Sequence, residues 1–377
     1  MKEKPKKIRI AQVIGRLDAA GIENVVFNFY RQIDKERFEF DFYYNADSSV
    51  QPNAEILSYG AHFYEIPPYK RIFSYMYVLW KAFGSRNYNI VHVHTGTLGG
   101  FALLPAWLRG VPTRIIHNHS IPAVGETYRN IAKYLLRMIC CIHATHRMAC
   151  STDAAKWMFG EKAIQQGKAV LTRNALSAER FTFNAKCREK TRRELNICDN
   201  FVIGHVGRFE NVKNHSFLLD VFLELQKRIP DSRLLLVGDG SLKGQIMKKA
   251  SENGILEKCV FTGSVFDTAK FYQAMDCLLL PSFAESLGLA AIEAQTAGLP
   301  VINSEYVSNE ALFMPNATRM KLTDGAARWA EYIAENFDIW KNQDRSEGYR
   351  RAKESGFDIQ KETEKLEKYY ERCAGRK

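Results

Sequence analysis

No apolar run in this 377-residue chain approaches the 18 or so residues of a membrane-spanning helix, so a span is not expected. The N-terminus, MKEKPKKIRI, is basic but leads straight into a strand pattern, without the apolar centre of a signal peptide. Eight cysteines stand at 140, 141, 150, 187, 198, 259, 277 and 373, with no C-x-x-C spacing among them. Several lie in apolar runs, which points to buried, reduced thiols in a cytosolic protein. No RRM, zinc-finger or Lys/Arg-rich helix signature is present, so nucleic acid is not the expected partner. The loop Gly238-Asp239-Gly240 is not a G-x-G-x-x-G, so the fingerprint of a dinucleotide-dependent dehydrogenase is missing.

What is present is a globular composition, 46% hydrophobic and 25% charged. The length exceeds one typical core, and two domains are expected. The formal net charge is +11 and unevenly spread. Residues 1–180 carry 24 Lys and Arg against 14 Asp and Glu, whereas 181–377 carry 29 against 28. A basic first half calls for an acidic partner: nucleic acid, an anionic membrane or a phosphate-bearing substrate. Residues 71–83, RIFSYMYVLWKAF, place Tyr and Trp between basic ends, which fits either a membrane-surface helix or a core helix.

Residues 8–14 are near-continuous Ile, Val and Ala, the mark of a buried parallel strand. A loop with Gly15 and Gly21 follows, then helical periodicity over 22–33. Strand patterns recur at 38–44, 62–66, 90–94, 114–119 and 147–150, with helical stretches at 52–59, 73–83, 98–108 and 128–143. Ser151 is placed to cap the next helix. This alternation predicts a doubly wound parallel sheet. Residues 181–199 are charged and poor in apolar side chains, and read as a linker with a short helix. Strand patterns resume at 201–206, 234–237, 259–263 and 277–280, and helices are expected over 326–337 and 358–372. His92 and His94, then His117 and His119, alternate by two, so each pair shares a face of its strand. Four imidazoles could meet there. A metal site is one reading, but no Asp, Glu or Cys accompanies them at ligand spacing.

The most informative stretch is 278–301, LLLPSFAESLGLAAIEAQTAGLPV. A short apolar strand is ended by Pro281, a helix is expected over 287–297, Gly298 stands at its C′ position, and a second strand begins at 299. A helix opening off the carboxyl end of a strand is where open α/β sheets bind anions. Glu285 and Glu293 have seven residues between them. On one helix, eight steps of about 100° would leave them roughly 80° apart. Carboxylates accept strong hydrogen bonds from sugar hydroxyls, although acids near a helix start are also common on plain solvated helices. Arg208 and Lys213 flank another strand-to-helix junction, where two cations can hold a diphosphate.

The string Glu285-Ser286-Leu287-Gly288, with Glu293-Ala294 and then Gly298-Leu299-Pro300-Val301, resembles the E-x7-E signature of GT-B glycosyltransferases. It is closest to the large retaining family 4, glycosyl transferases group 1, of the bacterial exopolysaccharide and capsule type. Gly207-Arg208-x4-Lys213-Asn214-His215 sits in the frame of that family, and the turn at 237–240 resembles its V-G-x-G. Ala20-Gly21-Ile22-Glu23 is similar to the family's Gly-Gly-x-Glu turn, with Ala20 in place of the first glycine. Residues 170–175 resemble its V-x-N-G segment, with Ala175 where glycine is common.

The resemblance implies an α/β fold of GT-B type, two Rossmann-like doubly wound parallel-sheet domains facing across a cleft. Residues 1–180 would bind the acceptor, 181–355 the nucleotide-sugar, and 356–377 would form a helix packing back on the first domain. It implies retaining, metal-independent transfer of a sugar from a nucleotide-sugar, with a UDP-sugar expected, to a hydroxyl of a glycan or lipid-linked saccharide in cell-surface polysaccharide synthesis. His119, Glu285, Arg208 and Lys213 would be catalytic. Gly21, Arg208, Lys213, Val265, Glu285, Ser286, Leu287, Gly288 and Glu293 would bind the donor. Gly21, Glu23 and His117 would bind the acceptor. No cofactor or metal is expected. The expected location is the cytoplasm, with peripheral contact at the inner face of an anionic membrane. A GT-B nucleotide-sugar epimerase and a non-catalytic sugar-nucleotide binding module are the alternatives.

Overall fold

A computed structural model of the chain describes residues 7–18, 21–123, 127–265 and 267–375. Ala20 therefore lies outside the described residues. The chain divides into two units, one of 1–122, 126–176 and 359–377, the other of 123–125 and 177–358.

The first unit is built on β1 (Ile8–Gly15), β2 (Phe38–Asn45), β3 (His62–Ile66), β4 (Ile90–Val93), β5 (Thr113–Asn118), β6 (His146–Ala149) and β7 (Ala169–Leu171). Their order in the sheet is β3-β2-β1-β4-β5-β6-β7, and every pairing is parallel. The strands alternate with α1 (Gly21–Gln32), α2 (Ala54–Ser58), α3 (Ile72–Ser85), α4 (Gly100–Leu108), α5 (Thr127–Ile139), α6 (Thr152–Phe159) and α7 (Glu161–Gln165). A parallel sheet covered on both faces needs side chains that are apolar both ways, as β1 and β4 provide. Ser151 caps α6, its side chain accepting from the Ala154 amide. His119 lies one residue beyond β5 rather than inside it.

The second unit holds β8 (Val202–Val206), β9 (Arg233–Val237), β10 (Cys259–Phe261), β11 (Cys277–Leu280), β12 (Val301–Ser304) and β13 (Ala317–Met320), in the order β10-β9-β8-β11-β12-β13 and all parallel. Its helices are α8 (Ala178–Phe181), α9 (Ala185–Glu194), α10 (His215–Gln226), α11 (Lys243–Glu252), α12 (Ala269–Ala274), α13 (Leu289–Thr296), α14 (Gly325–Lys341) and α15 (Glu347–Glu354). Its core gathers Phe201, Phe209, Phe222 and Leu236 with Trp329 and Trp340 of α14.

Residues 181–199 hold the expected short helix, α9, but it is packed into the second unit rather than left as part of a linker. Helix α9 is fastened to this unit by Arg188 and Arg192, which both pair with the buried Asp276. Asp276 also accepts from the Val202 amide at 2.7 Å. The charged sequence hid this attachment because the arginines are satisfied in the interior, by that carboxylate and by the Ala274 and Met275 carbonyls. Strand β13 and helices α12 and α15 also go beyond the sequence reading.

The last helix, α16 (Ile359–Cys373), belongs to the first unit. Arg37 pairs with its Glu367 and Glu371, and Glu367 accepts from the Asp34 amide at 2.7 Å. Tyr370 is fully buried against Phe38 and Phe40 of β2. All eight cysteines are free thiols.

Candidate active site

Each sheet has one place where the winding reverses. In the second unit it falls between β8 and β11, which pair at Cys277–Ile203 and Leu278–Gly204. No crossing connection covers the carboxyl ends of two such strands, which leaves a crevice for a ligand. The loop after β8 carries Arg208 and Lys213, and the loop after β11 carries Glu285 to Gly288. The topology thus brings together residues more than seventy positions apart. The loops are tied by the Phe283 amide donating to the Val212 carbonyl at 2.8 Å.

Lys213 ends a single 3-10 turn (Asn211–Lys213), and its stem lies over Gly207. Its ammonium forms an ion pair with Glu285. Arg208 is exposed on the same loop. The loop is held from behind by the turn after β9, where the Phe209 amide donates to the Asp239 carbonyl at 2.9 Å. Gly238 permits that approach: a Cβ there would stand 2.1 Å from the Gly207 carbonyl oxygen. Gly263 bridges to Gly238, and this brings the loop containing Val265 beside the same turn. Beneath the loop, His215 stacks on Phe209 and packs edge-on to His205. Burial, aided by the Lys213 charge, pushes His205 down to about 4 and His215 to about 2, so both are neutral.

Glu285 does not share a helix with Glu293, contrary to the angular argument from spacing. Its backbone pairs instead with Tyr306 and Ser308, forming a short parallel bridge at Val307. Its Oε1 takes Lys213 and, at 3.2 Å, the Ser282 hydroxyl. Ser286 continues this loop and Leu287 is buried beneath it. Gly288 then turns the chain into α13 at φ 69°, a left-handed conformation that favours glycine. Glycine at the N-cap offers no side chain to the first amides of α13, so the helix starts without a side-chain cap. Glu293 sits one turn into α13. Its Oε2 accepts from the Tyr272 hydroxyl at 2.7 Å and the Thr268 hydroxyl at 3.4 Å. Burial raises its carboxyl to about 7, against the pull of those two bonds.

In the first unit the reversal falls between β1 and β4. Gly21 begins α1, and the buried Glu23 accepts from the Asp18 amide at 2.8 Å, which braces the loop after β1. Neighbouring β4 and β5 bring His92, His94, His117 and His119 into one buried stack, with ring centroids 4.0 to 5.3 Å apart. His94 bonds His119 at 3.0 Å, and His119 meets the Asn174 Oδ1 at 3.2 Å. His92 bonds His117 at 3.2 Å and the Tyr370 hydroxyl at 2.7 Å. Burial holds His119 near 4, and burial with mutual repulsion holds the other three well below the usual range. His92, His94 and His117 each bring a ring nitrogen within 4.8 Å of the others. Those of His92 and His94 are spent on hydrogen bonds, and the His92 and His117 planes lie 9° apart rather than converging on a point. The arrangement is a stack of imidazoles bonded to one another.

Sequence reasoning missed Tyr272, Gln12, Asn174 and Tyr370. Gln12 left one signal, as a lone amide inside the apolar strand β1 that must find buried partners.

Two parallel-sheet units with these sites define a GT-B glycosyltransferase fold. Residues 19–180 match the model of Glycosyltransferase Family 4, and residues 188–353 that of Glycosyl transferases group 1. EpsF of Bacillus subtilis (strain 168), assigned as a glycosyltransferase, is 31% identical over 333 residues, 86% of this chain and 87% of that protein. An Escherichia coli UDP-Gal:alpha-D-GlcNAc-diphosphoundecaprenol alpha-1,3-galactosyltransferase is 25% identical over 83% of each chain. The structure of Anabaena HepE with UDP and glucose superposes with a TM-score of 0.79 over 96% of this chain and 99% of that one, at 15% identity. The chain belongs to the family 4 glycosyltransferases.

The raised Glu293 carboxyl has a measurable consequence. An acid whose folded pKa exceeds its unfolded value binds more protons when folded, so stability falls as pH rises between the two. For Glu293 that window runs from 4.5 to about 7. Partial exposure limits the loss to roughly 1–2 kcal/mol. Denaturant unfolding of wild type and Glu293→Gln across this range should show a component of the pH slope that only wild type has. Parallel slopes would refute the raised pKa.

Proposed function

We propose that the chain transfers a sugar from a UDP-sugar to a hydroxyl of a glycan or lipid-linked saccharide, with retention of anomeric configuration, in cell-surface polysaccharide synthesis. One observation carries the reading: the loops that carry Arg208, Lys213 and Glu285 and the start of α13 come together at the β8/β11 reversal, where Lys213 pairs with Glu285, with Glu293 one turn further in. Arg208 and Lys213 would take up the charge that grows on the diphosphate as the anomeric C–O bond breaks. With the positive end of α13 they would stand where other transferases use a metal ion. The pairing with Glu285 keeps the Lys213 ammonium aimed, while Glu285 would orient the hydroxyls of the donor sugar. Glu293 would hold the ribose hydroxyls, with Val265 near the base. The acceptor oxygen would bond to the anomeric carbon on the face the phosphate leaves, and its proton would pass to that phosphate. His119 would lie at this centre, with Gly21, Glu23 and His117 toward the acceptor. The UDP in HepE and the UDP-Gal and diphosphoundecaprenol in the name of the E. coli relative support the donor and acceptor classes.

Lys213→Ala should melt within a few degrees of wild type yet lose about a hundredfold or more in turnover, the scale of a lost electrostatic contact to developing charge. Near-normal turnover would remove the leaving-group role. NMR of the wild-type product should show the donor's anomeric configuration; an inverted product would end the retaining reading.

The surface of the first unit supports a lipid-linked acceptor reached at the cytoplasmic face of a membrane. No helix among the described residues is long and apolar enough to cross one. Residues 66–152 carry ten Lys and Arg and a single acid, Glu126. Helix α3 buries Tyr75, Leu79 and Phe83 but exposes Phe73 and Tyr77, so the sequence's two readings of 71–83 describe its two faces. Helix α5 is turned around: Tyr128, Ile131, Leu135 and Met138 face out, Met138 at 79% exposure, while Asn130, Lys133 and Arg137 are half-buried. Trp107 stacks on His143 beyond α5, Arg109 covers Trp80, and Trp80 stacks on Tyr77. Aromatic rings beside cations suit the headgroup layer of an anionic bilayer. Wild type should co-sediment with phosphatidylglycerol vesicles and not with phosphatidylcholine alone. Leu135→Glu with Met138→Glu should abolish this, as should charge reversal at Lys70, Arg71 and Lys81. Failure of wild type to sediment would end the membrane reading.

A further inference from the structure

The four histidines of the first unit form part of a longer chain of contacts whose direction can be worked out from bond lengths. Gln12 stands in its middle. Its amide meets the Tyr370 hydroxyl at 3.2 Å on one side and His94 Nε2 at 2.8 Å on the other. An O–H···O bond spans about 2.5–3.0 Å and an N–H···O bond about 2.7–3.2 Å. The longer contact therefore fits the Gln12 NH2 donating to Tyr370, which leaves the Gln12 oxygen facing His94. Each assignment then forces the next, because a neutral imidazole has one donor and one acceptor nitrogen.

On one arm, Tyr370 accepts from Gln12, and its own buried O–H finds its acceptor in His92 Nδ1 at 2.7 Å. His92 Nε2–H then donates to His117 Nδ1 at 3.2 Å. His117 Nε2–H ends this arm, a buried group with no hydrogen-bond partner. It lines a cavity of about 10 Å³ with Gln12, His94 and Tyr370. On the other arm, His94 Nε2–H donates to the Gln12 oxygen, so His94 Nδ1 accepts, and His119 Nε2–H donates to it at 3.0 Å. His119 Nδ1 is then an acceptor, and Asn174 must turn its NH2 rather than its oxygen toward it. The 3.2 Å separation serves either orientation of that amide. All donors now run one way, from Asn174 through His119, His94, Gln12, Tyr370 and His92 to His117.

We propose that Gln12 is a positioning residue that holds His119 as its Nε2–H tautomer through His94, and that Tyr370 of the C-terminal helix α16 in turn holds Gln12. Both ring nitrogens of His119 are spent in this chain, so it is not a proton acceptor, and the proton of the acceptor hydroxyl is left to the departing phosphate. The catalytic half rests on the placement of His119 at the reaction centre; the tautomer half does not.

The test uses full-length protein labelled with 15N-histidine. Long-range 1H–15N correlation separates the two neutral tautomers, and turnover is measured on the same samples. Wild-type His119 should be a single Nε2–H form. Gln12→Leu removes the acceptor for His94, so His94 can reverse and drive His119 toward the Nδ1–H form. Turnover should fall about tenfold at unchanged donor KM, the scale of one lost positioning hydrogen bond. Gln12→Glu keeps an acceptor facing His94 and should restore the wild-type tautomer. Tyr370→Phe frees the Gln12 amide to rotate and should give a tautomer mixture; it carries the test if Gln12→Leu does not fold. A wild-type Nδ1–H form, or tautomers indifferent to both variants, overturns the proposal. Tautomers that respond while turnover does not overturn its catalytic half and, with it, the placement of His119, while the chain itself stands.

Discussion

The constraint on which the site arrangement depends is the reversal of winding in each parallel sheet. Right-handed crossovers lay helices on both faces and over most strand ends. Only where the chain turns back, at β1/β4 and at β8/β11, do two adjacent strands send their following loops in opposite directions. The chemistry-bearing residues sit at those places because the backbone is open there. Lys213 and Glu285 meet because β8 and β11 are neighbours, not because of any local propensity in either loop.

In the first unit a second constraint follows from the first. Placing His92, His94, His117 and His119 on the buried ends of β4 and β5 removes four imidazoles from water. Such groups must find hydrogen-bond partners or carry a large desolvation penalty. Their partners come from three distant parts of the unit: Gln12 from β1, Asn174 from beyond β7, and Tyr370 from α16. The final helix is thereby bound to the polar centre as well as to the Phe38 and Phe40 rings. A polar network that recruits the end of the chain is satisfied only when the whole unit is assembled, which favours a single native arrangement.

The outline was legible in the sequence because parallel strands buried on both faces write continuous apolar runs, as at 8–14 and 277–280. Motif spacing singled out Arg208, Lys213, Glu285 and Glu293, which lie on the loops after β8 and β11 and on α13. Their geometry was not legible. The spacing of Glu285 and Glu293 suggested one helix, but a left-handed Gly288 delays α13 and puts Glu285 on a bridge to Val307 instead. The short helix expected within 181–199 is α9, but its attachment was hidden for a different reason. Its arginines look like surface charge until Asp276, more than eighty residues away, supplies the buried partner. Helix α5 was legible as a helix but not in its orientation, since periodicity finds an apolar face but carries no sign for which way that face points.

The two reversal points treat charge in opposite ways. At β8/β11 the groups are ionic and partly exposed, with the Lys213 and Glu285 side chains at 21% and 15% exposure. A diphosphate could enter there without stripping a fully buried pair of its partners, which is the costly case. At β1/β4 the histidine stack is made of neutral imidazoles bonded to amides and the Tyr370 hydroxyl and sealed from solvent, with the buried Glu23 set apart in the loop after β1. A front-face transfer asks for this division. Negative charge grows on the leaving phosphate and needs fixed cations, whereas a free base beside the acceptor would compete with that phosphate for the proton. Burial deep enough to keep histidine neutral, with both nitrogens of His119 engaged, leaves a rigid polar wall with no free base at the end of β5.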